Sequence, residues 1–185
     1  MQYADAFYRN SIAQAAPADQ SLYFGIWQAV AARIAAGSAR RLLDVGCGPG
    51  QFAEFILGAV PDVDYTGVDF SAVAIGLGKT RVPAASFLQA NLIDSNKLNA
   101  LNYDIVVALE VLEHIDSDLE LLGRLRSGAR FVGSVPNFDS FGHVRFFRDA
   151  DAVRARYGEH IRDLDVTPFN LAPNSILFLM SGVLA

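Results

Sequence analysis

Residues 42 to 50 read Leu-Leu-Asp-Val-Gly-Cys-Gly-Pro-Gly, and residues 67 to 71 read Gly-Val-Asp-Phe-Ser. The first is a short apolar strand feeding a turn, whose glycines at 46, 48 and 50 let backbone pass close to a ligand without Cβ interference. The second is another apolar strand, ending in Asp69, a carboxylate able to accept two hydrogen bonds from a ribose 2′,3′-diol. Pro49 opens the helix that follows the turn. The spacing is G-x-G-x-G, not the G-x-G-x-x-G that seats a pyrophosphate on a helix N-terminus. The two stretches together describe a nucleoside pocket with no pyrophosphate in it.

The rest of the pattern alternates. Leu22, Ile26, Val30 and Ile34 recur every fourth residue within 20–36, which predicts an amphipathic helix packed on a sheet and ended by Gly37-Ser38. Strands are expected over 41–45, 63–68, 86–89, 103–108 and 129–135, with helices at about 51–58, 71–80 and 117–126. Ile105-Val106-Val107-Ala108-Leu109 suits a central strand buried on both faces, and Ser71 is the expected N-cap of the helix after Asp69. A helix near 149–157 precedes strands at 161–166 and 175–181. Only about eight residues join those two strands, too few for a parallel crossover, so they should pair antiparallel. The fold class is α/β: a parallel sheet covered on both faces, expected as a single domain over 1–185 with 1–38 as an N-terminal helical cap.

Composition narrows the function classes. A chain of 185 residues with 52% hydrophobic and 19% charged residues can bury one substantial core. A net charge of −5 argues against a broad nucleic-acid footprint. Arg145, Arg148, Arg154 and Arg156 form a local exception, read as a solvated helix face or, secondarily, as a patch for an acidic substrate. The single cysteine, Cys47, cannot form an intramolecular disulfide and reads as a small residue filling the glycine turn. The N-terminus lacks a basic n-region and an apolar h-region, and the apolar run 176–185 is shorter than the ~20 residues that span a bilayer. The expected location is cytoplasmic, with no membrane span.

The stretch Asp44-Val45-Gly46-Cys47-Gly48-Pro49-Gly50 and the acid Asp69 resemble the class I S-adenosylmethionine-dependent methyltransferases, over roughly residues 40 to 168. That resemblance implies a three-layer, doubly wound Rossmann-like fold, with a mostly parallel seven-stranded sheet and a reversed edge strand. It implies S-adenosylmethionine as cofactor and S-adenosylhomocysteine as product. The residues implied in cofactor binding are Asp44, Gly46, Cys47, Gly48, Gly50, Asp69, Phe70, Asn91, Leu92 and Glu110. The family commonly has an acidic residue facing the adenine amino group where this chain has Asn91. An amide oxygen can accept the same hydrogen bond, and Asp94 is a substitute if its loop folds back. Tyr3, Phe7 and Tyr8 read as aromatic anchors on the core, and related enzymes often fold such a segment over the cofactor.

The acceptor side is expected after the fourth strand, in Glu110-Val111-Leu112-Glu113-His114. If helical, the spacing puts Glu110, Glu113 and His114 on one face. This stretch is similar to a segment of the ubiquinone-biosynthesis O-methyltransferases, and the resemblance places His114 towards the acceptor as a base, assisted by Glu113. His143 joins this catalytic set. Ser134-Val135-Pro136-Asn137-Phe138 and Gly142-His143-Val144-Arg145-Phe146-Phe147 resemble MetW-like proteins of methionine biosynthesis and sugar-directed methyltransferases. Phe138 and Phe141 are expected to wall a pocket or fill the core, and Phe146 and Phe147 to fill the core. Glu110, Glu113, His114 and His143 also resemble the Glu, Glu, His, His set of small-RNA 3′-end 2′-O-methyltransferases. A divalent metal is therefore a secondary expectation, not the favoured one. The expected activity is methyl transfer to a small-molecule acceptor, at oxygen. The rivals are a noncatalytic S-adenosylmethionine sensor or scaffold and a metal-assisted RNA 2′-O-methyltransferase.

Overall fold

The computed structural model describes residues 8, 16–93, 97–98 and 100–185. Tyr3, Phe7 and Asp94 lie outside the described residues. The strands are β1 (Arg41–Val45), β2 (Asp64–Asp69), β3 (Ser86–Gln89), β4 (Ile105–Leu109), β5 (Arg130–Pro136), β6 (Ile161–Ala172) and β7 (Ser175–Leu184). They form a seven-stranded sheet in the order β3-β2-β1-β4-β5-β7-β6. The pairs β1·β2, β2·β3 and β4·β5 are parallel, while β7 runs antiparallel to both β5 and β6. The reversed strand is thus β7, and β6 closes that edge. The chain divides into two compact units, Met1–Leu92 and Ile93–Ala185.

In the first unit, helix α1 (Phe24–Ala35) buries Ile26, Val30 and Ile34, as the four-residue recurrence requires. Each such burial stabilises by about 1.5–3 kcal/mol. Leu22, the first member of that series, precedes the helix and is 63% exposed. Tyr23, the residue before Phe24, offers no capping side chain. The inner face of α1 meets α2 (Gln51–Ala59) through Phe24 against Phe55 and Trp27 against Phe52, in edge-on ring contacts. Helix α3 (Ala72–Arg81) is capped as expected: the Ser71 hydroxyl accepts the Ala74 amide at 3.1 Å.

In the second unit, Ile105 through Ala108 on β4 are buried, the continuous apolar run of a strand covered on both faces. Helix α4 (Asp118–Arg124) follows, and α5 (Ala150–Tyr157) is capped by Asp149, which accepts the Ala152 amide at 2.8 Å. Strands β6 and β7 are longer than the sequence pattern indicates and turn over at residues 173 and 174, where Asn174 takes a left-handed φ of 64°.

The stretch after β4 departs from the helical expectation. Glu110 has a left-handed φ of 57°, and only Leu112–His114 form a 3-10 turn. A left-handed residue cannot belong to a right-handed helix. The one-face spacing of Glu110, Glu113 and His114 therefore does not arise from a helix.

Candidate functional site

In the first unit, β1 ends at the glycine turn and β2 ends beside it. Gly46, Gly48 and Gly50 all take positive φ, of 75°, 53° and 80°, so a side chain at any of them would strain the turn. The Gly46 and Cys47 amides donate to the Val68 carbonyl at 2.8 and 3.1 Å, which ties the turn to the end of β2. A Cβ on Gly50 would stand 3.1 Å from both the Gly78 Cα and the Phe87 ring, so close packing adds a second demand for glycine.

Asp69 is 2% exposed and is held at both carboxylate oxygens. Oδ2 accepts the Gly48 amide at 3.0 Å and Oδ1 accepts the Ser71 amide at 2.8 Å. These two amides orient the group before any ligand arrives. Tyr8 lies over the turn, its hydroxyl 3.6 Å from where a Gly48 Cβ would be. Burial first, then the Asp69 and Cys47 charges, push its phenol above the ordinary range.

Asp44 precedes the glycine turn by two residues. It is buried on β1, and its Oδ2 accepts the Tyr65 hydroxyl at 2.5 Å. Burial pushes its carboxyl up to about 7, the Tyr65 hydrogen bond opposes this, and the Asp69 charge adds to it. Cys47 is buried, with its Sγ 2.8 Å from where a Gly67 Cβ would lie. Burial, with the Asp44 and Asp69 charges, raises its thiol well above the usual value, which suits a filler and not a nucleophile. Phe70 is half-exposed, Leu92 is buried and Asn91 is exposed.

In the second unit, Glu113, His114 and His143 come together: one ligand atom from each lies within 4.8 Å of the others. The His114 and His143 rings meet edge-on, centroids 4.7 Å apart. His114 Nδ1 lies 2.9 Å from the Gly142 carbonyl oxygen, and His143 Nδ1 lies 3.2 Å from that of Phe138. A carbonyl can only accept, so each Nδ1 carries the hydrogen and each Nε2 of the neutral ring keeps a lone pair. Glu113 is fully buried and neither carboxylate oxygen has a hydrogen-bond partner among the described residues.

Glu110 is set apart from this trio by Ser134, whose hydroxyl donates to Glu110 Oε1 at 2.9 Å and accepts the Glu110 amide at 3.1 Å. Burial pushes Glu110 up to about 7 against the Ser134 hydrogen bond. Burial and the Glu110 charge push Glu113 well above the carboxylate range. His114 is not raised by a neighbouring carboxylate. Desolvation of its inner side lowers it, the Gly142 carbonyl opposes this, and His143 lowers it further.

The arginine patch is absorbed by internal acids. Arg145 and Arg156 both meet the buried Asp118, Arg148 meets Asp149 and Arg154 meets Asp151. Arg148 and Arg154 fit the exposed-face reading, whereas Arg145 is mostly buried. Of the adjacent pair, Phe147 is in the core and Phe146 is 53% exposed; Phe141 is also exposed. Four contributors went unassigned in the sequence. Tyr65 carries no motif, Ser134 opens a quoted stretch without a role of its own, and Gly142 has a φ of 83° that shows only in the fold. Arg145 looked like surface charge.

A family model described as a methyltransferase domain matches residues 43–130. Over that stretch the chain is similar to a methyltransferase domain. A trans-aconitate 2-methyltransferase of Rhodopseudomonas palustris strain BisA53 is 31% identical to this chain over 110 residues, which are 57% of the chain and 42% of the relative. The chain spans less than half the length of the first curated relatives it matches. Among solved structures, the N-methyltransferase NodS of Bradyrhizobium japonicum WM9, in complex with S-adenosyl-L-homocysteine, aligns with a TM-score of 0.70 at 18% identity. That alignment covers 98% of this chain and 97% of NodS. The methyltransferase domain of bacterial CtHen1-C aligns with a TM-score of 0.70 at 17% identity, covering 89% of this chain and all of the other. At these identities the two structures establish the shared fold.

Proposed function

We propose that the chain is an S-adenosylmethionine-dependent methyltransferase that methylates a small-molecule acceptor at oxygen, as a single cytoplasmic domain over 1–185 with 1–38 as its N-terminal cap. The observation that carries this reading is Asp69, already oriented by the Gly48 and Ser71 amides beside three positive-φ glycines. The residues present fit the cofactor: a carboxylate fixed by two backbone amides suits a ribose diol, and Cβ-free backbone allows close approach. When bound, S-adenosylmethionine supplies a methyl group on sulfonium sulfur. The acceptor oxygen forms the new C–O bond, and the C–S bond breaks with its electron pair returning to sulfur.

The chain's own part is to bind, orient and take up a proton. His114 Nε2, left with its lone pair because Nδ1–H is spent on Gly142, is the base for the acceptor hydroxyl. Its lowered pKa keeps it unprotonated at neutral pH, ready to accept. His143 Nε2 and the Glu113 carboxyl offer further contacts beside it. Placement matters most, because alignment of reactants supplies about 7–11 kcal/mol in favourable cases. The test is methyl transfer from labelled S-adenosylmethionine to a metabolite extract, alongside thermal stabilisation by S-adenosylhomocysteine compared with NAD. Binding without any labelled product would support the sensor alternative, and stabilisation by NAD alone would overturn the cofactor assignment.

A second reading is favoured by one observation, the buried Glu113 carboxylate, without a partner among the described residues, next to two imidazole lone pairs. Glu113, His114 and His143 would hold a divalent cation there, and the cation would acidify and orient the acceptor hydroxyl. The net charge of −5 keeps this reading with a small acceptor rather than RNA. Manganese binding by calorimetry, lost in Glu113→Gln, checks it. Absence of binding by the wild-type chain leaves the metal-free base.

A further inference from the structure

His143 and the pair Glu113–His114 belong to separate stretches of chain, the segment between β5 and α5 and the loop between β4 and α4. What joins these stretches is mostly Arg145. Its Nη1 donates to the carbonyls of Leu112 and Ile115 at 2.5 and 2.6 Å, and its Nη2 donates to that of Asp116 at 3.0 Å. The first two acceptors bracket Glu113 and His114. The guanidinium thus closes the 3-10 turn, joining the Ile115 amide on the Leu112 carbonyl and bonding the carbonyls of Ile115 and Asp116 beyond it.

The same guanidinium is anchored from behind. Asp118, fully buried at the start of α4, lies 3.1 Å from Arg145 Nη1. That carboxylate also accepts Arg156 Nε and Nη2 at 2.8 and 2.6 Å and the Tyr157 hydroxyl at 2.9 Å, both from α5. Arg145 therefore cannot swing away without leaving a buried carboxylate under-paired. On the other side of Arg145, the Val144 amide donates to the Glu113 carbonyl at 2.8 Å, and the Gly142 carbonyl receives His114 Nδ1. His143 sits between those two contacts, so its place relative to His114 follows from where Arg145 pins the segment.

We propose that Arg145 is the positioning residue of the Glu113–His114–His143 cluster, fixing the loop that bears the first two while its own backbone presents the third. It acts through the two imidazoles. Lysine is not an equivalent, because one ammonium cannot serve three carbonyls and a carboxylate in a single plane. The proposal rests on the reading of this cluster as the acceptor side. It adds the residue that assembles it.

The chain has three histidines, His114, His143 and His160, which makes imidazole nitrogen spectra assignable. Long-range proton–nitrogen spectra of the 15N-labelled full chain should show both His114 and His143 with hydrogen on Nδ1. In Arg145→Ala, both should lose that signature and become mixtures of the two ring forms, while His160 keeps its wild-type signals. Affinity for S-adenosylhomocysteine should stay within about twofold, since the glycine turn and Asp69 lie in the first unit, and the labelled-product rate should fall about tenfold or more. Should Arg145→Ala not fold, Arg145→Lys is measured, with the same loss of the Nδ1 signature expected. Wild-type imidazole signals in whichever variant folds would overturn the proposal. Failure of the wild-type chain to bind S-adenosylhomocysteine would instead overturn the functional reading and leave the imidazole result standing.

Discussion

The Asp69 carboxylate accepts the amide of Gly48, 21 residues earlier in the chain, at 3.0 Å. This contact locks the end of β2 to the middle of the glycine turn, so two short motifs act as one rigid piece. Charge-assisted hydrogen bonds of this type are worth more than neutral ones, about 1.5–3 kcal/mol each. Asp69→Ala removes the bonds to Gly48 and Ser71 together with the ribose acceptor. Affinity for S-adenosylhomocysteine, measured calorimetrically in folded protein, should drop about tenfold or more. Unchanged affinity would show that the sugar is not held here.

Gly142 offers a milder probe of the other unit. Its φ is 83°, and a Cβ there would come within 3.3 Å of His114 Nδ1, the atom its carbonyl engages. Gly142→Ala should cost about 1–2 kcal/mol of stability from the left-handed backbone. It should also push the His114 ring off its carbonyl partner. The expected result is a lower rate of methyl transfer with cofactor affinity unaltered, and equal rates would dissociate His114 from the reaction.

Much of the fold was legible because its signals are local. Four-residue recurrence located α1, the apolar run located β4, and the eight-residue limit on a crossover foretold the antiparallel β6·β7 pair. The Asp69 and glycine-turn pairing was legible for the same reason. Glu110 was not, because a left-handed φ in a non-glycine residue is imposed by its surroundings, here two hydrogen bonds with Ser134. The role of Arg145 was hidden for a different reason: its partners are backbone carbonyls, and these leave no mark in sequence. Asp44 has the motif's identity, but Tyr65, far along the chain, decides what it contacts.

Asp118 concentrates the charge pairing of the second unit. Its burial raises the carboxyl, but hydrogen bonds from Arg156 and Tyr157 and the charges of Arg145 and Arg156 outweigh that and hold it below its ordinary range. A depressed acid stabilises the fold above its unfolded pKa, near ~3.9, and that stabilisation is lost as pH falls through the folded value. Acid unfolding of the wild type should therefore carry a component below about pH 4 that Asp118→Asn lacks. At neutral pH, Asp118→Ala leaves two arginines facing an empty site and should cost about 3 kcal/mol in denaturant melts. A loss under about 0.5 kcal/mol would mean that the arginines re-pair with water.

Asp44 should show the opposite pH dependence. Its folded carboxyl titrates at about 7, raised first by burial, while in the unfolded chain it titrates near ~3.9. Below the unfolded value both states are neutral and the group contributes nothing. Between about pH 4 and about pH 7 the unfolded chain ionises and the folded chain does not, so each step up in pH draws stability away from the fold. Above about 7 the penalty is complete. Asp44→Asn keeps the shape and an oxygen for the Tyr65 hydroxyl without ionising, so its melting temperature should exceed the wild type by a margin that widens from pH 5 to pH 8. The mutant should also bind S-adenosylhomocysteine at close to wild-type strength, because the carboxylate that orients the turn is Asp69. A margin constant across that range would show that Asp44 is already ionised in the folded protein.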